Sequence, residues 1–326
     1  MDIQQWPVPS SLLVSKEVTL RNRIAEKYRE RPAEEIMTAY AGMAKDDILR
    51  YFPAMLARVG VTLCGAGIET GAGVGVFSAS VAASCPAVTK LYALEIVPQV
   101  VSCLQEPVIS DIAGQEAKKV VRVHGSFDDI QLPTASLDFA LELEALHHSP
   151  DLDRTLREIA RVLKPGGYLL CVDRVCSNRM TNRERDYLLD YEYSDAWKRA
   201  NDFPVSETIT RRQNGEHEIR RSEWEAALDR AGFSVERFCF TRTADPERIL
   251  KCAVGLIPFG LRRPFGWKFG RLVPCHQGEI WWQIRRCLFG TVPRSSRFLD
   301  IPVSTPLQRV LFSKTVLVCR KRDIPV

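Results

Sequence analysis

Between residues 16 and 58 charged and apolar positions alternate at helical spacing, in "EVTLRNRIAEKYRERPAEEIMTAYAGMAKDDILRYFPAMLARV". This predicts two or three helices, with breaks at Pro32 and Pro53. From residue 66 the period changes. A strand "AGIE" is followed by a glycine loop, a helix over 76–84 and a strand "KLYALE" at 90–95. A helix near 97–113 follows, then strands "KVVRVHG" at 119–125 and "SLDFALEL" at 136–143, the helix "DLDRTLREIARVLKPGG" and the strand "YLLCVDRV" at 168–175. Strands alternating with helices imply a parallel sheet covered on both faces, with ligands beyond the carboxyl ends of its strands. Residues 178–222 are polar and partly helical. Ser222 reads as the N-cap of "SEWEAALDRAGF", Gly232 as its stop, "SVERFCF" as a strand, and "QRVLFSKTVLVCRKR" at 308–322 as the last strand.

Two glycine runs lie back to back in "VTLCGAGIETGAGVGVFSASVAAS", residues 61–84. Were the first the ligand loop, a helix starting near Gly67 would carry Gly71, Gly73 and Gly75 in its first turns, at about 1 kcal/mol each relative to alanine. With the second as the loop, the strand is "AGIE" and the helix "VFSASVAAS" has no glycine, which is locally consistent. Glu69 then closes the strand. A dinucleotide fingerprint wants a further glycine where Val76 stands, which weakens an NAD reading.

Composition changes the picture little: of 326 residues, 45% are hydrophobic and 26% charged, as in ordinary globular chains. No apolar run approaches the roughly 20 residues of a membrane span, and "MDIQQWPVPSS" lacks a signal pattern, so a cytoplasmic protein is expected. The ten cysteines include no CxxC pair, and reduced core thiols are expected rather than a zinc site or disulfides. Charge is unevenly placed. Residues 251–300 hold nine Lys or Arg against Glu279 and Asp300, a net +7, which leaves −2 for the remainder of a chain of net +5.

The order of "ETGAGVG", Glu95, "LDFALELEALHHSPDLDRTLREIARVLKPGG" and "SEWEAALDRAGFSVERF" resembles the class I S-adenosylmethionine-dependent methyltransferases, in their small-molecule, methyltransferase-11-like form. The resemblance covers roughly residues 60–240 and the final strand. It implies S-adenosylmethionine as cofactor. Gly71, Gly73 and Gly75 would let the backbone approach its methionine part, Glu69 would face its amino group, and Glu95 would accept both ribose hydroxyls. In this family an Asp is common after the next strand; here "HGSFDD" offers Ser126 and Phe127, so adenine contact falls to Phe127 packing or shifts to Asp128. Glu142, at the end of the strand beneath the reactive methyl, is counted with the cofactor-binding residues.

His147, His148 and His217 are the candidate catalytic residues. A base matters if the acceptor is a hydroxyl, whose proton must leave as the new bond forms, and histidine suits that near neutral pH. The alternative for His147 and His148 is that they order the loop before the next helix. For "RRQNGEHEIR", with Asn214, Glu216, His217 and Glu218, it is a hairpin turn at "NG" with surface charge. No metal site is expected from Glu216, His217 and Glu218, because adjacent strand residues point to opposite faces.

The expected architecture is therefore α/β, a doubly wound, mostly parallel seven-stranded sheet with a long insertion. Its parts are a helical cap (1–58), a cofactor-binding core (59–240), a basic aromatic insertion (241–306) and the final strand with a tail (307–326). The expected activity is O-methylation of a hydroxyl on a small molecule or saccharide, including a lipid-linked one. The alternatives are C- or N-methylation of a small metabolite, or an inactive cofactor-binding scaffold at a membrane surface. The insertion reads as a lid over the acceptor or as a peripheral contact with the inner face of a membrane. The acidic balance elsewhere argues against nucleic acid.

Overall fold

The computed structural model describes residues 2–176, 178, 180–241, 298–299 and 314–323. The expected insertion lies almost wholly outside the described residues. Among the described residues nine strands form one sheet: β1 (Ile3–Gln5), β2 (Gly65–Thr70), β3 (Val88–Glu95), β4 (Val120–His124), β5 (Leu137–Leu143), β6 (Leu163–Arg174), β7 (Phe233–Thr241), β8 (Phe298–Leu299) and β9 (Lys314–Lys321). Their order is β1-β4-β3-β2-β5-β6-β9-β7-β8. Strands β1 to β6 pair in parallel, and β9 lies antiparallel between β6 and β7. The seven expected strands are all present. The two extra ones are short pieces at the edges.

The helices are α1 (Ser10–Leu13), α2 (Lys16–Lys27), α3 (Ala33–Ile36), α4 (Lys45–Val59), α5 (Val76–Ser84), α6 (Gln105–Ala113), α7 (Leu152–Val162), α8 (Asn182–Leu189), α9 (Asp195–Ala200) and α10 (Arg221–Arg230). Two apolar cores sandwich the sheet. One packs α4, α5 and α6 against it through residues such as Phe52, Phe77 and Ile109. The other packs α7 and α10 through Leu156, Ile159 and Trp224.

Several expectations are corrected. Pro53 does not break its helix but sits inside α4. Ile48, Tyr51, Phe52, Met55, Leu56 and Val59 make one buried face on both sides of it. Packing of that face outweighs the hydrogen bond that proline removes. Ser222 is not an N-cap: α10 starts at Arg221, and the Glu223 carboxylate caps it by accepting the Arg220 N–H at 2.7 Å. There is no hairpin at "NG"; Arg212–Asn214 form a 3-10 turn closed by Gly215 in the left-handed region, at φ 72°. β6 starts at Leu163 rather than 168, and Ile3–Gln5 is a sheet edge rather than part of a helical cap. The first glycine run belongs to β2. A Cβ on Gly67 would collide with the Phe139 ring of β5, so that glycine serves the sheet and not a ligand.

Candidate functional site

Strand order reverses at β2, between β3 and β5, and a crevice opens beyond the carboxyl ends of these strands as expected at such a switch point. It holds a cavity of about 450 Å³. Glu69, Gly73, Glu95, Phe127, His147 and His148 all line it.

One wall is the loop from β2 to α5. Glu95 is buried at the end of β3, where Oε2 accepts the Gly73 N–H and Oε1 the Val97 N–H, each at 2.9 Å. These two donors fix the carboxylate while each oxygen keeps a lone pair. Burial pushes its pKa up, and the N–H groups of Val97 and Gly73 pull it part of the way back. Glu69 accepts the Ser78 N–H at 2.8 Å and the Ser78 hydroxyl at the start of α5. Burial pushes it up to about 8 against these bonds, so it holds its proton at neutral pH.

The three loop glycines prove to have different tasks. A Cβ on Gly73 meets nothing within 4 Å, so this position opens onto the cavity. A Cβ on Gly71 would strike the Ala145 methyl, and one on Gly75 would lie 2.7 Å from Ile109 of α6. Gly71 and Gly75 therefore allow close packing within the chain; Gly71 also lines the cavity, whereas Gly75 does not. Ser126 is buried, and with Phe127 and Asp128 it lines a smaller adjoining recess of about 70 Å³ roofed by Leu12, Ser15 and Val18. Glu142 is not on the cavity wall. It is fully buried and accepts the N–H groups of Ala145 and Leu146, the latter at 3.2 Å, beneath the turn that carries the histidines.

The other wall is a buried polar cluster. His147 Nδ1 lies 2.5 Å from Asp173 Oδ1, and the same carboxylate accepts the His147 N–H at 2.9 Å. His147 Nε2 is 3.7 Å from Glu216. Burial, with the charges of Arg174 and His148, holds the His147 pKa well below 6.5, so the ring is neutral. With Nδ1–H donated to Asp173, Nε2 carries the lone pair. His148 differs. Burial opposes its charge, but Glu17, 2.9 Å from its Nδ1, outweighs this and raises its pKa. Glu216 is bound by both Arg174 and Arg211, whose charges overcome the opposing effect of burial and hold it well below the usual carboxylate range. His147, His148 and Glu216 stand close enough to share an ion, yet two guanidiniums already occupy Glu216, which argues against a cation there.

His217 is not with the other two histidines. Its N–H donates to the His147 carbonyl at 2.9 Å, but its ring lines a separate surface cleft of about 580 Å³. Along an extended segment Glu216 turns to the cavity and His217 away from it. The sequence reading missed Asp173, Arg174, Glu17, Lys314 and the aromatic pair Tyr193 and Trp197, which stack at 3.7 Å beside the cavity. Asp173 left one signal, a lone acid within the apolar run "YLLCVDRV".

Residues 68–171 match the methyltransferase-domain family. This stretch contains the glycine loop, Glu95 and the histidine turn. Residues 68–171 are a class I methyltransferase domain. Among similar proteins, the phthiotriol/phenolphthiotriol dimycocerosates methyltransferase 1 of Mycobacterium ulcerans is 41% identical over 64 residues, 20% of this chain and 24% of that protein. The sterol 24-C-methyltransferase of Aspergillus fumigatus is 32% identical over 108 residues, 32% of this chain and 28% of that one. The chain thus aligns with only about a quarter of the length of these relatives. A solved structure assigned as a sarcosine dimethylglycine methyltransferase from Galdieria sulphuraria has the same fold at a TM-score of 0.51 and 16% identity, over 93% of this chain and 98% of that one.

The residues of the methyltransferase domain fit its cofactor, S-adenosylmethionine. Glu69 and Glu95, beside the glycine loop, are the acids that would face a cationic donor, while Arg21, Arg174, Arg211 and Lys314 line the same cavity. The space above Gly73 admits a close ligand, and Glu95 is fixed with lone pairs to spare. No helix among the described residues is long and apolar enough to cross a membrane.

Proposed function

We propose that the protein is an S-adenosylmethionine-dependent O-methyltransferase acting on a hydroxyl of a small molecule. The observation that carries this reading is the neutral His147, oriented by Asp173, in the same cavity as Glu95 and Gly73. When bound, the cofactor supplies an electrophilic methyl group on a cationic sulfur, open to in-line displacement by an oxygen nucleophile. Glu95 and the Gly73 backbone hold and orient the cofactor. His147 Nε2 accepts the hydroxyl proton as the oxygen–carbon bond forms, and Asp173 stabilises the resulting imidazolium. The positive charge lost from sulfur thus reappears on His147.

The finer reading is an acceptor that is lipid-linked, such as a glycolipid hydroxyl. Its support is the net +7 of residues 251–300 with Trp267, Trp281 and Trp282, a pattern suited to an anionic and partly apolar surface. The sterol and dimycocerosate acceptors named for the two relatives agree with it. The test is incubation with methyl-labelled cofactor and fractionated cell extract, with the product identified by mass and by base stability of the new bond. An O-methyl product in the lipid fraction supports both parts, one in the aqueous fraction only the first, and an N- or C-methyl product overturns the reading.

A further inference from the structure

Glu142 takes no place on the cavity wall, yet its carboxyl lies at the centre of what presents His147. Glu142 on β5 pairs in register with Cys171 on β6, and Asp173 follows two residues on, on the same face. Oxygen or sulfur atoms of Glu142, Cys171 and Asp173 all lie within 4.8 Å of one another, and all three residues are buried. Between them the two carboxyls accept three successive backbone N–H groups: Glu142 those of Ala145 and Leu146, Asp173 that of His147.

We propose that Glu142 is a positioning residue for His147: it fixes the turn that presents the imidazole, and it stays uncharged so that Asp173 is the single anion behind the ring. This rests on His147 being the base. Two adjacent buried carboxyls cannot both ionise at low cost, and their surroundings decide which one does. Burial raises the pKa of Asp173 as well, but it is opposed by Arg174 on the same strand, by Lys314 on β9, and by the His147 and Arg174 N–H groups. Among the described residues Glu142 is faced by Cys171, Asp173 and the turn N–H groups, and burial together with the Asp173 charge raises its pKa well above 4.5 against the hydrogen bonds from Cys171, Ala145 and Leu146. Cys171 keeps its proton because burial raises it too. The remaining charges facing His147 are Arg174, His148, Glu216 and Glu144. A second anion at Glu142 would favour a proton on His147 and remove the free base at neutral pH.

The test is a titration of labelled histidine by NMR in the full chain without acceptor, feasible with only five histidines. In the wild type His147 should remain in the Nδ1–H tautomer to below pH 6.5. Glu142→Gln, of the same shape and permanently neutral, should keep that tautomer and that titration midpoint. Glu142→Ala should lose the single tautomer, and with an acceptor in hand its turnover should fall about tenfold or more with the cofactor KM unchanged and partial rescue by the glutamine variant. A midpoint lowered by a unit or more in Glu142→Gln would reveal an ionised Glu142 and overturn the proposal, as would a wild-type tautomer and turnover in Glu142→Ala. Should the alanine variant not fold, the glutamine titration still decides. The NMR result does not depend on methyl transfer, so failure of the O-methylation reading is seen separately.

Discussion

His147 and Asp173 are joined twice, by an imidazole contact of 2.5 Å and by a backbone N–H bond of 2.9 Å to the same carboxylate. The aspartate thereby sets both the position of the turn and the tautomer of the ring. His147→Ala is expected to lower turnover about 100-fold or more while cofactor affinity changes little. Asp173→Asn should have a similar effect through the wrong tautomer. Since burial and neighbouring cations lower the His147 pKa, the pH–rate profile should stay flat through neutrality and fall only at acid pH, below 6.5. His148→Ala should cost less, because Glu17 raises its pKa and favours the charged form. Steady-state kinetics on the three variants would check this ranking.

Glu95→Ala should weaken S-adenosylmethionine binding by about 1.5–3 kcal/mol, roughly 10- to 150-fold, from the loss of charge-assisted hydrogen bonds. It also leaves the buried N–H groups of Gly73 and Val97 without their acceptor, so the melting temperature should fall. Calorimetry of binding and of unfolding separates the two effects, and an unchanged dissociation constant would remove Glu95 from the cofactor site.

The loop glycines should separate by assay. Alanine at Gly71, Gly73 or Gly75 meets the left-handed backbone penalty of roughly 1–2 kcal/mol. Only Gly71→Ala and Gly75→Ala add collisions, with Ala145 and Ile109, and these two should lose more stability. Gly73→Ala should lose less stability but most of its cofactor affinity, since its methyl projects into the cavity. Thermal melts alongside binding titrations would check this pattern.

Glu69 should couple cofactor binding to proton release. Its folded-state pKa is raised from 4.5 to about 8, so the folded protein holds a proton that the unfolded chain has lost over that interval. Without cofactor, the stability from this group is therefore fully present below pH 4.5 and is lost as pH rises towards 8. A cationic ligand favours the ionised form, so binding at pH 7 should release up to about one proton. Calorimetry in buffers of different ionisation enthalpy measures that number, and the Glu69→Gln variant should release none.

The sequence by itself determined the layered fold and most of the cavity wall beside the glycine loop. Hydrophobic period distinguishes strands from helices locally, and the choice of the second glycine run rested on where helix-breaking residues can stand. Glu69, Gly73 and Glu95 were legible for the same reason: each belongs to a strand end or loop whose position follows from the strand order. The tertiary structure decided what depends on contacts between distant segments. A local pattern gives no sign that α4 tolerates Pro53, because the compensation comes from the cores it packs against. Nor could it tell Gly73 from Gly71 and Gly75, whose Cβ directions meet Ala145 and Ile109 only after folding. The histidines were divided in the same way. Asp173, 26 residues away in sequence, orients the His147 ring that burial keeps neutral, Glu17 raises the pKa of His148, and the alternation of the chain turns His217 out of the cavity altogether.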